Sequence, residues 1–228
     1  MKDKSGFLLI NKKEGITSHD VVEKLRKITG IKKIGHAGTL DPSAKGLLIL
    51  GIGRKATKNL SFFLKKDKEY LAKIKLGAVS DTFDREGKII SLEKVKKPSR
   101  QRVEKALKSF QGEIQQYPPL FSAKKLKGKK LYQLARKGIK PKIKPQKVKI
   151  HKIELLNYQW PYLEIRVNCS SGTYIRSLAN DIGQKLKCGG YLIDLCRTRI
   201  GKFILKKAAN LSEINHQNWQ KYLFQPKN

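Results

Sequence analysis

Apolar residues in this chain follow two different rhythms, and these alternate without a fixed order, which limits the fold more than any other feature. Residues 6–12 (GFLLINK) read as a short strand, and the apolar run 46–53 as a buried strand or turn. Between Lys68 and Gly77, the residues Tyr70, Ala72, Ile74 and Leu76 alternate with mostly polar neighbours, as a half-buried strand does. Residues 147–170 predict two strands broken near Trp160-Pro161, with Leu163, Ile165, Val167 and Cys169 on one face. Helical spacing takes over three times. Thr17-Ser18-His19-Asp20 offers an N-cap to Val21, Val22, Leu25 and Ile28, and Gly30 follows as a C′ residue. Ser99 caps Val103, Ala106, Leu107 and Phe110 before Gly112. Ile175, Leu178, Ala179, Ile182 and Leu186 form the third stripe, followed by Gly189-Gly190. A doubly wound parallel sheet needs a repeating βαβ rhythm, and none is present. The expected class is α+β, with a mixed, mainly antiparallel sheet flanked by helices. Residues 1–207 are expected to form one domain. Residues 208–228 are expected to be a short helical tail docking Leu211, Ile214, Trp219, Tyr222, Leu223 and Phe224 on the core.

Charge narrows the partner. The 228 residues carry 51 Lys+Arg against 18 Asp+Glu, a formal net charge of +33. An excess this large repels itself and is best tolerated by a protein that meets a polyanion, with nucleic acid the default. Codon bias is the plainer account of Lys outnumbering Arg 41 to 10, alongside 22 Ile against 11 Ala, but it does not explain the shortage of acids. Lysine suits point contacts to phosphate more than bidentate reading of bases. Lys124–Lys152 holds 13 Lys/Arg in 29 residues with no acid, interrupted by Pro141 and Pro145. It reads as a basic excursion from the core, with Lys127, Lys129 and Lys130 as candidate phosphate contacts; a solvated loop is the alternative. The longest apolar run, Gly46–Gly53, is far short of the ~20 residues of a membrane span, and Phe7–Ile10 is too short for a signal-peptide core. Membrane and secreted classes are not expected. Cys169, Cys188 and Cys196 show no CxxC spacing and no His at a ligand-like offset, so no metal is expected and a reducing cytoplasm fits.

Three segments offer chemistry. Gly51-Ile52-Gly53-Arg54-Lys55-Ala56 matches the dinucleotide pattern GxGxxA, but no second parallel strand ending in an acid follows, so a plain strand-to-helix turn is expected. Gly35-His36-Ala37-Gly38-Thr39-Leu40-Asp41-Pro42 describes a tight loop presenting one carboxylate. Asp41 is there either a nucleophile or merely the acceptor of an Asp-Pro turn. No second acid stands beside it, which disfavours a two-carboxylate hydrolase. Ser171-Gly172-Thr173-Tyr174-Ile175-Arg176 sits where a strand turns into a helix. Arg176 in a first turn opposes the helix dipole, so it is either an idle surface residue or the partner of a buried carboxylate.

Taken together, these segments resemble one family. Asn11-Lys12, Gly15, Thr17-Ser18 and Asp20-Val21-Val22, followed by GHAGTLDPSAKGLL and Gly53–Lys58, are similar to the first two motifs of the bacterial tRNA pseudouridine-55 synthase (TruB) family. Lys68 and Tyr70, then Ser80-Asp81-Thr82, Asp84 and Gly87, resemble its next block. Pro118–Ala123 with Gly128–Tyr132 and Ala135–Gly138 resemble its thumb, and Cys169–Arg176 with Leu195 and Arg197 complete the order. The resemblance implies a pseudouridine-synthase fold with a basic thumb insertion at 124–152. It implies an isomerase that flips uridine 55 out of the tRNA T-loop and needs no cofactor, metal or guide RNA. Asp41 would be the nucleophile, attacking C6 of the uracil or C1′ of the ribose. Arg176 would be its salt-bridge partner, and Tyr70 the stacking residue and a candidate general base, where the residues alone read it as a core tyrosine. Tyr174 and Leu195 would line the pocket, His36 would pack against flipped nucleotides, and Lys12 would be structural or directed to phosphate. The expected partner is the T-arm stem-loop and the expected state a monomer. Lys13, Phe121 and Cys196 depart from the family's usual residues, and no room is expected for its usual C-terminal RNA-binding module. A catalytically inactive RNA-binding or ribosome-assembly protein on the same fold is the alternative.

Overall fold

The structure, a computed structural model, describes residues 5–226 other than 123, 127 and 140, and gives no side chain at 125 and 130. The expected contact Lys127 and the side chain of Lys130 therefore lie outside the described residues. The elements run β1 (Gly6–Lys12), α1 (Ser18–Thr29), β2 (Ile34–Ala37), β3 (Lys45–Ile52), α2 (Gly53–Lys58), α3 (Ser61–Leu64), β4 (Lys68–Leu76), β5 (Ala78–Ser80), β6 (Ile89–Ser91), α4 (Arg100–Lys108), β7 (Gly112–Gln116), β8 (Lys125–Leu126), β9 (Lys129–Lys130), α5 (Leu131–Arg136), β10 (Gln146–Gln159), β11 (Tyr162–Cys169), α6 (Ile175–Lys185), β12 (Gly190–Ile200), β13 (Phe203–Ile204) and β14 (Ala209–Asn210). The chain divides into two compact units, residues 1–70 with 195–228, and residues 71–194.

The first unit orders its strands β14-β1-β3-β12-β4, with β2 beside β3 and β13 beside β12. β1 is antiparallel to β3, β3 is parallel to β12, and β14 runs parallel to β1. β3 is a continuous apolar run because both its faces are covered. Leu48, Leu50 and Ile52 meet Val21, Val22 and Leu25 of α1 together with Trp219. Leu47 and Ile49 face a second cluster around Phe7, Leu60 and Phe63. The strand-to-helix turn at Gly53 leads into α2, as expected in place of a dinucleotide motif. The start of α1 follows its sequence signal closely. The Thr17 hydroxyl accepts from Asp20 N at 3.0 Å and Asp20 Oδ2 accepts from Thr17 N at 2.8 Å, a reciprocal cap, and Gly30 ends the helix in the left-handed region at φ 71°.

The second unit orders its strands β12-β4-β11-β10-β7. β10 is antiparallel to both β11 and β7, and α4 packs on β10 and α6. Leu163, Ile165, Val167 and Cys169 share the buried face of β11, as their alternation predicts. The basic excursion starts with a β8–β9 hairpin and α5.

The tail differs from its expectation. In place of one helix, residues 208–226 form the short strand β14 and two 3₁₀ turns, Leu211–Glu213 and Trp219–Tyr222. Asparagine chemistry explains the break. Asn215 Oδ1 accepts from Gln217 N and Asn218 N, and Asn218 Oδ1 accepts from Asn215 N, so side chains take the bonds that a continuing helix would use. The apolar residues of the segment still reach the core: Trp219 is 3% exposed. Among the described residues no helix is long and apolar enough to cross a membrane.

Candidate active site

Asp41 stands in the loop between β2 and β3, half-buried, between buried Leu40 and exposed Pro42. Loops normally hold such a residue loosely; this one is tied at four points from within its own unit. At its ends, Arg197 of β12 donates from Nε to Leu47 O at 2.8 Å and from Nη2 to Gly38 O at 3.0 Å. The guanidinium, 2% exposed, thus bridges the strand on one side of the loop to the turn on the other. Arg197 lies level with Gly46 in the parallel β12–β3 pairing, where a Cβ on residue 46 would come within 2.7 Å of Arg197 N. Only glycine fits there, and its φ of +109° makes the same demand.

Next to the carboxylate, Ser18 Oγ accepts from Leu40 N at 2.9 Å and donates to Leu40 O at 3.1 Å. Because Thr17 caps α1, the Ser18 hydroxyl is left for this task. On the far side of Asp41, Pro42 O accepts from Gly15 N at 2.9 Å and from Lys12 Nζ at 3.3 Å. The Lys12 ammonium also donates to Lys13 O and Ile16 O, at 3.0 and 2.7 Å. Lys12 is 1% exposed and its ammonium is spent on backbone carbonyls, which fits the structural one of its two readings. Burial lowers its pKa from 10.5 to about 8, and the Asp41 carboxylate opposes that fall by favouring the charged form.

His36 on β2 is half-buried, and its Nδ1 is buried without a hydrogen-bond partner among the described residues. Burial, then the Arg197 charge, holds the imidazole below its usual pKa, so it is neutral at pH 7. Tyr70 lies on the buried face of β4 at 8% exposure, and Leu195, also 8% exposed, opens the first-unit half of β12. Two residues before Tyr70, the buried Lys68 donates to Leu64 O and Lys66 O at 2.5 and 2.6 Å, and Glu69 bonds Thr198 and Arg199 of β12.

The second unit carries Tyr174 and Arg176. Arg176 is not an idle surface residue: at 6% exposure it pairs with the buried carboxylate of Asp84, Nη1 to Oδ2 at 3.0 Å. It also donates to Phe121 O at 2.9 Å and Thr82 O at 3.3 Å, while Thr82 Oγ1 and Glu86 N bond the other oxygen of Asp84. A desolvated ion pair survives when its remaining lone pairs and protons are met in this way. Tyr174 is half-buried just before α6. Lys129 is exposed on β9, where a phosphate contact is accessible.

Residues 26–175 match the model of the TruB family pseudouridylate synthase N-terminal domain, and residues 176–225 match that of the tRNA pseudouridylate synthase B C-terminal domain. The chain belongs to the TruB family. A TruB relative in Protochlamydia amoebophila, named tRNA pseudouridine synthase B, is 51% identical over 210 residues, covering 92% of this chain and 79% of that protein. One of the same name in Clostridium tetani is 47% identical over 219 residues, covering 96% and 75%. Among solved structures, a chain of a Cbf5-Nop10-Gar1 complex superposes with a TM-score of 0.74 at 30% identity, covering 95% of this chain and 55% of that one. This chain therefore spans about half the length of that neighbour. The mixed α+β architecture is thus that of the pseudouridine synthases.

Arg197, Ser18 and Asp84 stand inside sequence motifs that do not mark these contacts, and Gln116 stands in none of those motifs. Each works through backbone groups or a partner distant in sequence, and spacing carries no mark of such contacts.

Proposed function

We propose that this TruB-family chain converts uridine 55 in the T-loop of tRNA to pseudouridine, as a monomer in the cytoplasm, without guide RNA or cofactor. The observation that carries the reading is the Asp41 loop. The loop that presents this carboxylate is held by Arg197, Ser18 and Lys12, and the buried Lys12 ammonium interacts with the carboxylate itself, in a chain whose relatives are named for this reaction. A protein that only binds RNA has no use for a carboxylate fixed at that cost.

In this reading the target uridine leaves the loop stack, and its extrusion is offset by aromatic contacts and phosphate charge. The Asp41 carboxylate forms a covalent bond to the nucleotide, and the bond between N1 and C1′ breaks. The freed base turns, C5 bonds to C1′, the bond to Asp41 breaks and returns the free carboxylate, and the C5 proton passes to a base while N1 takes one up, so that uridine and product differ only in connectivity. Tyr70 stacks on the uracil and is the candidate for that base. Tyr174 and Leu195 line the pocket, and the neutral His36 packs against flipped nucleotides. Arg176, fixed by Asp84, supplies a permanent positive charge, and exposed lysines of the thumb, Lys129 among them, hold phosphates.

The test is incubation with unmodified tRNA and mapping of pseudouridine by position. Wild-type protein should modify one T-loop uridine. Asp41→Asn should bind the same tRNA with unchanged affinity and lose turnover by on the order of 10⁴-fold or more. Modification by the Asn variant at near wild-type rate would remove Asp41 from the chemistry.

A further inference from the structure

The first turn of α6 carries both Tyr174 and Arg176, yet it lacks the usual means of fixing a helix start. Its N-cap residue is Tyr174, which makes no side-chain cap, and the turn contains no acid to meet the helix dipole. What holds it comes from the end of β7. Gln116 is 0% exposed, and its amide spans both backbone groups of Tyr174: Oε1 accepts from Tyr174 N at 2.8 Å and Nε2 donates to Tyr174 O at 3.0 Å. A buried glutamine that pairs one residue's N–H and C=O acts as a surrogate strand. Asparagine is shorter, glutamate at neutral pH only accepts, and apolar residues do neither. The neighbouring Tyr117 O accepts from Ser177 Oγ at 2.7 Å, so the same chain segment grips the turn on both sides of Arg176.

We infer that Gln116 is a positioning residue for pseudouridine formation, setting the backbone of Tyr174 and, through it, the approach of the Tyr174 ring and the Arg176 guanidinium. The inference rests on the function proposed above. Its logic is economy: fixing a helix start for stability alone needs one Ser, Thr, Asp or Asn cap, whereas fixing both polar groups of one residue defines its plane and with it the direction of its side chain.

Gln116→Met keeps the volume and removes both bonds. It should lower kcat by about 10- to 100-fold, the scale of a misplaced reacting group, with KM for tRNA within about twofold of wild type. Gln116→Glu supplies the discriminating readout. A protonated carboxyl offers one donor and one acceptor and so reproduces the amide, while the carboxylate cannot donate to Tyr174 O. Its kcat relative to wild type should therefore rise as pH falls, and that of Gln116→Met should stay flat. Amide hydrogen exchange should show Tyr174 N–H losing protection in the Met variant while the body of α6 keeps it. Full kcat in both variants, or a parallel loss in both with no pH recovery for Glu, would overturn the inference and leave the function intact. Failure of the wild-type chain to make pseudouridine would overturn both.

Discussion

At the scale of single residues, charge is the recurring device, and the two cation systems differ in how they respond to change. Arg176 and Asp84 are both about 7% exposed, and each helps to compensate the buried charge of the other. Arg176→Met should cost about 3–5 kcal/mol in urea unfolding, because it strands a buried carboxylate. Adding Asp84→Met should recover most of that stability without restoring pseudouridine formation. Recovery of both would reduce Arg176 to a structural residue. Lys12 is the titrating member. Its folded pKa of about 8 lies below the ordinary 10.5, so between those values the unfolded chain holds a proton that the folded chain has released. Stability therefore gains as pH climbs from about 8 to about 10.5, and Lys12→Met should abolish that gain. Turnover should move the other way. Losing its proton, Lys12 loses one of three donors and its attraction to Asp41, so kcat should decline above pH 8 in wild type and show no such limb in the Met variant.

At the scale of elements, much was legible and the reasons are local. Thr17, Asp20 and Gly30 bracket α1 as their chemistry requires, and the alternation in β4 and β11 reports one buried face. The tail departs from a single helix because, although Leu211, Ile214, Trp219 and Tyr222 keep an apolar spacing compatible with a helix, Asn215 and Asn218 divert the backbone bonds. The site was legible where a motif is contiguous, as around Asp41, and opaque where a support arrives from far along the chain. Arg197 lies 159 residues from Gly38, and Gln116 lies 58 from Tyr174. The thumb stands between these cases: its charge is plain, and its roots are found only in the fold. Lys124 Nζ donates to Gln146 Oε1 at 2.6 Å, and Gln146 Nε2 donates to Gly172 O at 2.7 Å, tying its base to the turn before Tyr174. Replacing Lys127, Lys129 and Lys130 by Gln should flatten the salt dependence of tRNA binding by about 0.7–0.9 log units per lost phosphate contact. An unchanged slope in filter-binding titrations would return the segment to a solvated loop.

At the scale of the whole molecule, a charge of +33 is spread over two compact units, and the first of these turns part of it inward. Lys12, Lys68 and Arg197 are each under 10% exposed, an uncommon placement for cations, and all three end on backbone carbonyls. The buried amine of Lys12 also makes a clock. Acylating reagents attack the neutral form of an amine, and at pH 8 about half of the Lys12 side chains are neutral, against less than about 1% for a lysine with the ordinary pKa. Because burial is what lowers that pKa, the amine is neutral where no reagent reaches it and regains ordinary lysine basicity once exposed. Among the 41 lysines its acetylation should be slow in the folded protein and then accelerate sharply whenever the segment over it opens. Mass spectrometry of that one peptide would time the opening of the Asp41 loop, with and without tRNA, in a protein carrying no introduced probe.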